Sequence, residues 1–250
     1  MAPRPQYRGG YGRGRLKNRE TPVRWLLQDN DEICYYLGMN SLVDKAVRES
    51  KTGIFTYSDV LTWFSGTRPA IRAMVTRAVA SGDVLRIRRG LYCLVRDLAP
   101  FLPSEYVLAN LAYGPSYVSM ESALEYHGWI PEAVRTVVCV TSSRAKKFLT
   151  PFGLFKYEPV KQFPLMRGVA RCDEHPSGTY FMASPLKALC DLVVTRRHDW
   201  TSCHPLVHSL RIEEEDLDSL TGEDFDCLDG VYYSKRARDF LAGIRKELGK

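Results

Sequence analysis

The sequence predicts an α+β protein, in which a helical segment with a β-hairpin precedes a mixed α/β unit that ends in helices. Three observations support this. Residues 41–80 contain three short helical patterns, each followed by a turn with glycine. Residues 82–95, GDVLRIRRGLYCLV, alternate apolar and basic positions, as a half-buried hairpin does. Residues 99–200 mix helical patterns with apolar strands such as TVVCVT.

The chain of 250 residues is long enough for two domains. Its net charge of +6 is unevenly distributed. Residues 1–98 hold 17 basic and 9 acidic residues, residues 99–200 hold 11 and 9, and residues 201–250 hold 7 and 11. A basic N-terminal third indicates a module that binds a polyanion, whereas an acidic C-terminal end is typical of a solvated surface.

The predicted organisation is an arm followed by two domains. Residues 1–20 carry six basic residues and four glycines with almost nothing to bury, and predict a flexible arm. Such an arm either lies along nucleic acid or is a solvated tail. Residues 21–98 form the predicted first domain, and residues 99–250 form the second.

Several classes of protein are not favoured. No apolar run reaches the roughly 18 residues that span a bilayer, and the N-terminus lacks a signal-like apolar stretch. We therefore expect a soluble, cytoplasmic protein without a membrane partner. The seven cysteines are scattered with no CxxC pair, which indicates reduced thiols and not a disulfide framework.

The first helix is predicted over residues 41–51, with Leu42, Val43, Ala46 and Val47 on one face. A short extended piece follows at IFT. Thr56 or Ser58 then caps a second helix, whose apolar positions are Val60, Leu61 and Phe64.

The third helix is predicted over residues 67–80, with Thr67 as its cap, Pro69 in its first turn and Gly82 after its end. At 100° per residue, one face is apolar, formed by Ile71, Met74, Val75, Ala78 and Val79. The opposite face carries Arg68, Arg72, Ala73, Thr76 and Arg77.

The hairpin spans residues 83–95, and its turn falls at Arg89 and Gly90, where a positive φ is tolerated. Leu85 and Ile87 are expected on one face and Arg86 and Arg88 on the other. The hairpin therefore predicts a row of guanidinium groups over solvent, which either contact phosphates or protect an edge strand from aggregation.

Three helices followed by a basic hairpin is the order of a winged helix-turn-helix. Its third helix enters the major groove of DNA, and its wing reaches the adjacent backbone. Arg68 and Arg72 lie where such helices meet base edges, and Arg77 is better placed for phosphate. The predicted DNA contacts are Thr67, Arg68, Arg72, Thr76, Arg77, Arg86, Arg88 and Arg89. The alternatives are a solvated arginine face and a winged helix that binds protein.

The second unit is predicted as helix, strand, helix and strand, then two aromatic-rich strands in RAKKFLTPFGLFKYEPV. Ser119 is expected to cap a helix over residues 120–127. Ser184 and Pro185 begin a further helix after the strand in GTYFMA. A C-terminal amphipathic helix is predicted with Phe240, Leu241 and Ile244 inward.

Five stretches in this order resemble the AbiEi antitoxins of bacterial type IV toxin–antitoxin systems. They are GDVLRIRRGLY, YVSMESALEYHGWI, VVCVTSS, FLTPFGLFKY and ASPLKALCD, and the resemblance extends over roughly residues 55–197. The resemblance implies an N-terminal winged helix and a C-terminal antitoxin domain. It also implies repression of the protein's own operon through inverted repeats in double-stranded operator DNA. It further implies neutralisation of a nucleotidyltransferase-like toxin encoded beside it, without the need for a stable complex.

By position, the resemblance places Ser122 and His127 in an SAL-x-x-HG motif, and Ser184, Pro185 and Lys187 in an ASP-x-KAL motif. Leu186 stands where the family often has an acidic residue, which argues against a catalytic role there. We interpret both motifs as structural, with Ser122 and its neighbour Ala123 allowing close helix packing.

Two clusters offer alternative chemistry. Cys172, His175, His198, Cys203, His204 and His208 include a pair four residues apart, as in zinc sites, but no clean second pair. The acids Asp173, Glu174 and 213–216 could serve a metal-dependent nuclease, although consecutive acids spread around a helix. We predict no metal, no cofactor and no catalytic residue.

The leading hypothesis is therefore a DNA-binding antitoxin and autorepressor that is not an enzyme. The first alternative is a winged-helix regulator whose second domain senses another signal or partner. The second alternative is a metal-dependent nuclease.

Overall fold

The computed structural model describes residues 41–250, and within them the protein is α+β, as predicted, with ten helices and two sheets. The predicted basic arm, residues 1–20, and the following residues up to 40 lie outside the described part. No helix in the described part is long and apolar enough to cross a membrane.

The first sheet and its helices occupy residues 41–94. The elements are α1 (Ser41–Glu49), β1 (Ile54–Thr56), α2 (Tyr57–Trp63), α3 (Arg68–Ala80), β2 (Val84–Arg88) and β3 (Leu91–Leu94). The strands are antiparallel in the order β1-β3-β2. The helices and the hairpin therefore follow each other as predicted, with β1 added to the hairpin as a third strand.

Local signals set the helix boundaries in this region. The Thr56 hydroxyl accepts a hydrogen bond from the amide of Asp59, and the Asp59 carboxylate accepts one from the amide of Thr56 at 2.6 Å. This capping box starts α2 at the predicted cap. The apolar faces meet in one core, formed by Leu42, Val43, Ala46, Phe55, Val60, Ile71, Val75, Ala78, Val84, Tyr92 and Leu94.

The second sheet has six strands in the order β6-β7-β5-β4-β9-β8. Its elements are α4 (Glu105–Ala112), β4 (Ser116–Val118), α5 (Met120–Tyr126), β5 (Thr136–Thr141), β6 (Lys146–Thr150), β7 (Gly153–Pro159), β8 (Val169–Cys172) and β9 (Tyr180–Ala183). The pairs β5–β7 and β4–β9 are parallel, and the others are antiparallel. Strand β8 was not predicted, and it forms an edge beside β9.

Helix α6 (Pro185–Arg196) packs against α5 and against the last helix of the chain. Its predicted cap is confirmed, because the Ser184 hydroxyl accepts from the amide of Lys187. The remaining helices are α7 (His204–Leu210), α8 (Glu214–Asp218), α9 (Gly222–Leu228) and α10 (Lys235–Leu248). Phe240 and Ile244 of α10 are buried as predicted, and Leu241 is half-buried.

The β2–β3 hairpin belongs to both halves of the described chain. Val84, Tyr92 and Leu94 lie in the first core, whereas Ile87 and Leu91 belong to the larger core around the six-stranded sheet. Strand β2 also contacts β6. The hairpin is therefore fixed against the second sheet, and the predicted domain boundary at residue 98 stays a prediction.

Candidate nucleic-acid interface

Helix α3 presents a continuous polar and basic face. Its Thr67 hydroxyl caps the helix by accepting from the amide of Ala70 at 3.4 Å. Ile71, Val75 and Ala78 anchor the opposite side in the core. The exposed residues Arg68, Pro69, Arg72, Ala73, Thr76 and Arg77 line a shallow depression of about 560 Å³.

The cations on this face are available for an external anion. Arg68, Arg72 and Arg77 are all exposed, and none of them forms an ion pair within residues 41–250. The Thr76 hydroxyl donates to the carbonyl of Arg72 at 2.9 Å, so its proton is already used within the helix. Three guanidinium groups on one exposed helix face therefore offer bidentate donors for phosphates or base edges.

The hairpin adds Arg86 and Arg89, which are both exposed. Gly90 has φ +84°, and its carbonyl accepts from the amide of Tyr57 at 3.0 Å. The turn therefore needs the positive φ that the sequence predicted at this glycine. Helix α3 packs against β2, so both sets of arginines belong to one rigid body.

Arg88 is placed differently from the prediction. A β-bulge between Arg86 and Arg88 breaks the alternation, so that Arg86 pairs with Tyr92 and Arg88 with Leu91. The Arg88 side chain is half-buried: its Nη1 donates to the carbonyl of Arg89 at 2.8 Å, and its Nε is buried with no acceptor among the described residues. The predicted row of guanidinium groups over solvent was therefore wrong at Arg88.

The charge of Arg88 acts on the second sheet. Burial raises the pKa of the Tyr157 phenol in β7, and the positive charge of Arg88 opposes this shift. The Tyr157 hydroxyl donates to the carbonyl of Ala109 at 2.6 Å, which ties β7 to α4. Arg88 therefore lies at the contact between the hairpin and the larger core.

In the predicted SAL-x-x-HG motif, the Ser122 side chain forms two hydrogen bonds to β5. The Ser122 hydroxyl donates to the carbonyl of Thr136 and accepts from the amide of Val138, both at 2.9 Å. It therefore fastens α5 to β5, in addition to the close packing of α5 on α6. In the same motif, His127 Nε2 lies 2.8 Å from the carbonyl of Ala183.

A buried polar network, which was not predicted, surrounds Lys187. Lys187 and Asp191 have no exposed surface, although both are ionisable. Lys187 Nζ donates to Gln162 Oε1 at 2.6 Å and lies 3.5 Å from the Tyr232 hydroxyl. The Asp191 carboxylate accepts from three hydroxyl groups, those of Tyr117 (2.8 Å), Ser119 (2.7 Å) and Tyr232 (2.8 Å).

Ser119 therefore has a different role from the predicted one. It is the residue that precedes α5, but its hydroxyl donates to Asp191 and makes no hydrogen bond to the start of the helix. Burial lowers the pKa of Lys187 and raises that of Asp191, and each charge opposes the shift of the other. The ASP-x-KAL motif thus contributes a buried charge pair as well as a helix cap.

A sequence signal for this network exists in α6. Every residue from Leu186 to Val193 is buried, and Lys187 and Asp191 are four residues apart on one face. Two opposite charges at this spacing within an otherwise apolar helix indicate buried charges that need polar partners inside the core.

The histidine and cysteine residues do not converge. His204 and His208 share a face of α7 with ring centroids 4.1 Å apart, whereas the His198 ring stacks on Trp200. His175 Nδ1 lies near the amide and hydroxyl of Ser177. Within residues 41–250, no three His, Cys, Asp or Glu side chains are grouped so that they could hold a metal ion.

Comparison with known families adds to this geometry. Residues 42–95 match the model of a family described as a transcriptional regulator, AbiEi antitoxin. This segment is therefore similar to the AbiEi antitoxin regulators. The match covers α1 to β3 and thus includes every predicted DNA contact. No curated protein matches the chain. The resemblance to the AbiEi antitoxins is therefore confirmed by the part of the chain that carries α3 and the hairpin.

Proposed function

We propose that the protein is a DNA-binding antitoxin that represses its own operon and counteracts a nucleotidyltransferase-like toxin. In this proposal α1–α3 and the hairpin act as a winged helix-turn-helix on inverted repeats of operator DNA. The observation that carries the proposal is the exposed arginine face of α3, which lies within the segment matched by the AbiEi regulator family.

The elements divide the work of DNA binding. Arg68 and Arg72 lie in the first half of α3, where a recognition helix meets base edges in the major groove. Arg77 is close to the end of the helix and is assigned to a phosphate. Arg86 and Arg89 on the hairpin are assigned to the backbone beside the groove. Arg88 is assigned to the contact between the hairpin and the larger core, because its side chain is half-buried in a strand that contacts β6.

A reporter fused to the upstream region of the gene tests autorepression. We expect wild-type protein to silence the reporter and Arg72→Ala to lose most of this repression, because each lost base contact costs about 1–3 kcal/mol. Arg48→Ala is the matched control, since Arg48 is also an exposed helical arginine but lies on α1. Equal repression by Arg72→Ala and the wild type would refute the assignment of α3.

Co-expression with the neighbouring toxin tests the second activity. We assign toxin neutralisation to residues 99–250, so Arg72→Ala should rescue growth as well as the wild type when its level is matched. Failure of the wild-type protein to rescue growth would refute the antitoxin role and leave autorepression standing.

A further inference from the structure

Two aromatic rings stand exposed on a surface far along the chain from α3. The exposed fraction is 71% for Phe163 and 64% for Tyr233, and among the large apolar residues of the described part only Leu149 is more exposed. The rings come from segments 70 residues apart that are joined by a short antiparallel bridge between Gln162 and Tyr232. Phe163 N donates to the carbonyl of Val231 at 2.9 Å, and Tyr233 N donates to that of Lys161 at 3.4 Å.

The residues just before the two rings belong to the buried network. Gln162 and Tyr232 turn inward, where they contact Lys187 and Asp191. Because successive side chains of an extended chain point to opposite faces, the side chains that follow Gln162 and Tyr232 lie on the side away from Lys187 and Asp191. Phe163 and Tyr233 are diagonal neighbours across the bridge, a relation that places Cα atoms about 7–8 Å apart. Both rings therefore lie on backbone that is held by the bridge and by the buried side chains of Gln162 and Tyr232.

Basic side chains surround the rings. Lys161 lies opposite Tyr233 in the bridge, and Arg167 follows in the turn after Phe163; both are exposed. Arg238 Nη1 donates to the carbonyl of Tyr233 at 3.3 Å. Lys235, with 81% of its side chain exposed, pairs with Asp239 at 2.8 Å. We call Lys161, Phe163, Arg167, Tyr233 and Arg238 the aromatic patch.

The chemistry of the aromatic patch fits a partner that carries both anionic groups and flat apolar faces. Single-stranded nucleic acid has both, and proteins bind it with aromatic platforms flanked by Lys and Arg. Duplex DNA hides its base faces inside the helix, whereas the unpaired bases of RNA loops and ends are free to stack. We propose that the aromatic patch binds single-stranded RNA, with bases stacked on Phe163 and Tyr233 and phosphates on the surrounding cations. This proposal goes beyond the proposed function and does not depend on it.

Fluorescence anisotropy with full-length protein and a labelled uridine oligonucleotide of about 12 nucleotides tests this binding. The test variant is Phe163→Ala with Tyr233→Ala, and both positions are exposed, so its urea unfolding should match that of the wild type. Leu149→Ala is the matched control, because Leu149 is exposed and lies in β6 beside Lys146 and Lys147 but cannot stack. The N-terminal residues are present in every variant, so their contribution cancels.

We expect the double variant to bind the RNA about tenfold or more weakly, because each stacked base contributes substantially to binding. Leu149→Ala should bind like the wild type, and Phe163→Trp should retain binding because it keeps a stacking ring. Unchanged binding by the double variant, or an equal loss in Leu149→Ala, would overturn the proposal. So would tighter binding of single-stranded DNA than of RNA, or a wild-type dimer that the double variant converts to a monomer.

Discussion

The buried pair of Lys187 and Asp191 gives the sharpest prediction about stability. Lys187→Met keeps most of the apolar part of the side chain but removes the positive charge that opposes the raised pKa of the buried Asp191. Asp191 has no exposed surface, and its three hydroxyl donors remain in place. Removing one partner of a buried pair leaves an uncompensated charge and costs about 3–5 kcal/mol. This is a large share of the roughly 5–15 kcal/mol that stabilises a typical domain.

Urea unfolding followed by tryptophan fluorescence measures this cost. The double variant Lys187→Met with Asp191→Asn should lose about 1–3 kcal/mol less than the sum of its single variants, because its second substitution removes the stranded charge. Lys235→Met is the control, since Lys235 forms an exposed ion pair with Asp239 and should cost less than about 1 kcal/mol. Additive single effects would refute the proposed coupling.

The pH dependence of Lys187→Met has a predictable sign. Burial raises the pKa of Asp191, and the charge of Lys187 is the largest effect that opposes this. Asp191 therefore binds a proton at a higher pH in the folded protein than in the unfolded chain, and the loss of Lys187 increases this difference. The stability of the variant should therefore rise relative to the wild type as the pH falls toward the pKa of an unfolded aspartate, about 4. A penalty that is independent of pH would contradict this reasoning.

Three further predictions concern single side chains. Gly243→Ala should destabilise the protein by about 1–3 kcal/mol in urea unfolding, because the added Cβ would overlap the carbonyl oxygen of Thr201. This overlap outweighs the gain in helix propensity of about 1 kcal/mol. Unchanged stability would contradict the expected overlap. Burial raises the pKa of the Cys93 thiol to about 12. In the folded protein at pH 8, Cys93 should therefore resist a disulfide reagent, whereas the partly exposed Cys172 should react. Mass spectrometry of both cysteines measures the difference. Arg88→Ala should lower the free energy of unfolding but leave the salt dependence of DNA binding unchanged. If the slope of the logarithm of the binding constant against the logarithm of the salt concentration decreases by about 1, Arg88 contacts a phosphate instead.

The elements with local signals were predictable from sequence. Thr56, Thr67 and Ser184 cap the helices that they were predicted to cap, because a cap depends only on the next three residues. The arginine face of α3 was predictable for a similar reason, since a helix period fixes which residues share a side.

Features that depend on distant partners were not predictable in this way. The bulge at Arg88 lies where β2 pairs with β3 and also contacts β6. The alternation of apolar and basic residues in the sequence of β2 does not show this bulge. The Lys187 network and the exposure of Phe163 and Tyr233 depend on a bridge between segments 70 residues apart. Ser119 had a competing partner in Asp191, which lies 72 residues away and uses the hydroxyl that a cap would need.

We propose above that α3 reads a specific DNA sequence. The most direct measurement is the ratio of the affinities for the protein's own upstream DNA and for a random duplex of equal length at one fixed salt concentration. The ratio is determined for the wild type and for Arg68→Ala with Arg72→Ala. We expect a clear preference for the upstream DNA in the wild type, and loss of about 1–3 kcal/mol of this preference for each base contact removed. A wild-type protein with no preference, or a variant that keeps the full preference, would show that α3 does not read the sequence of the DNA.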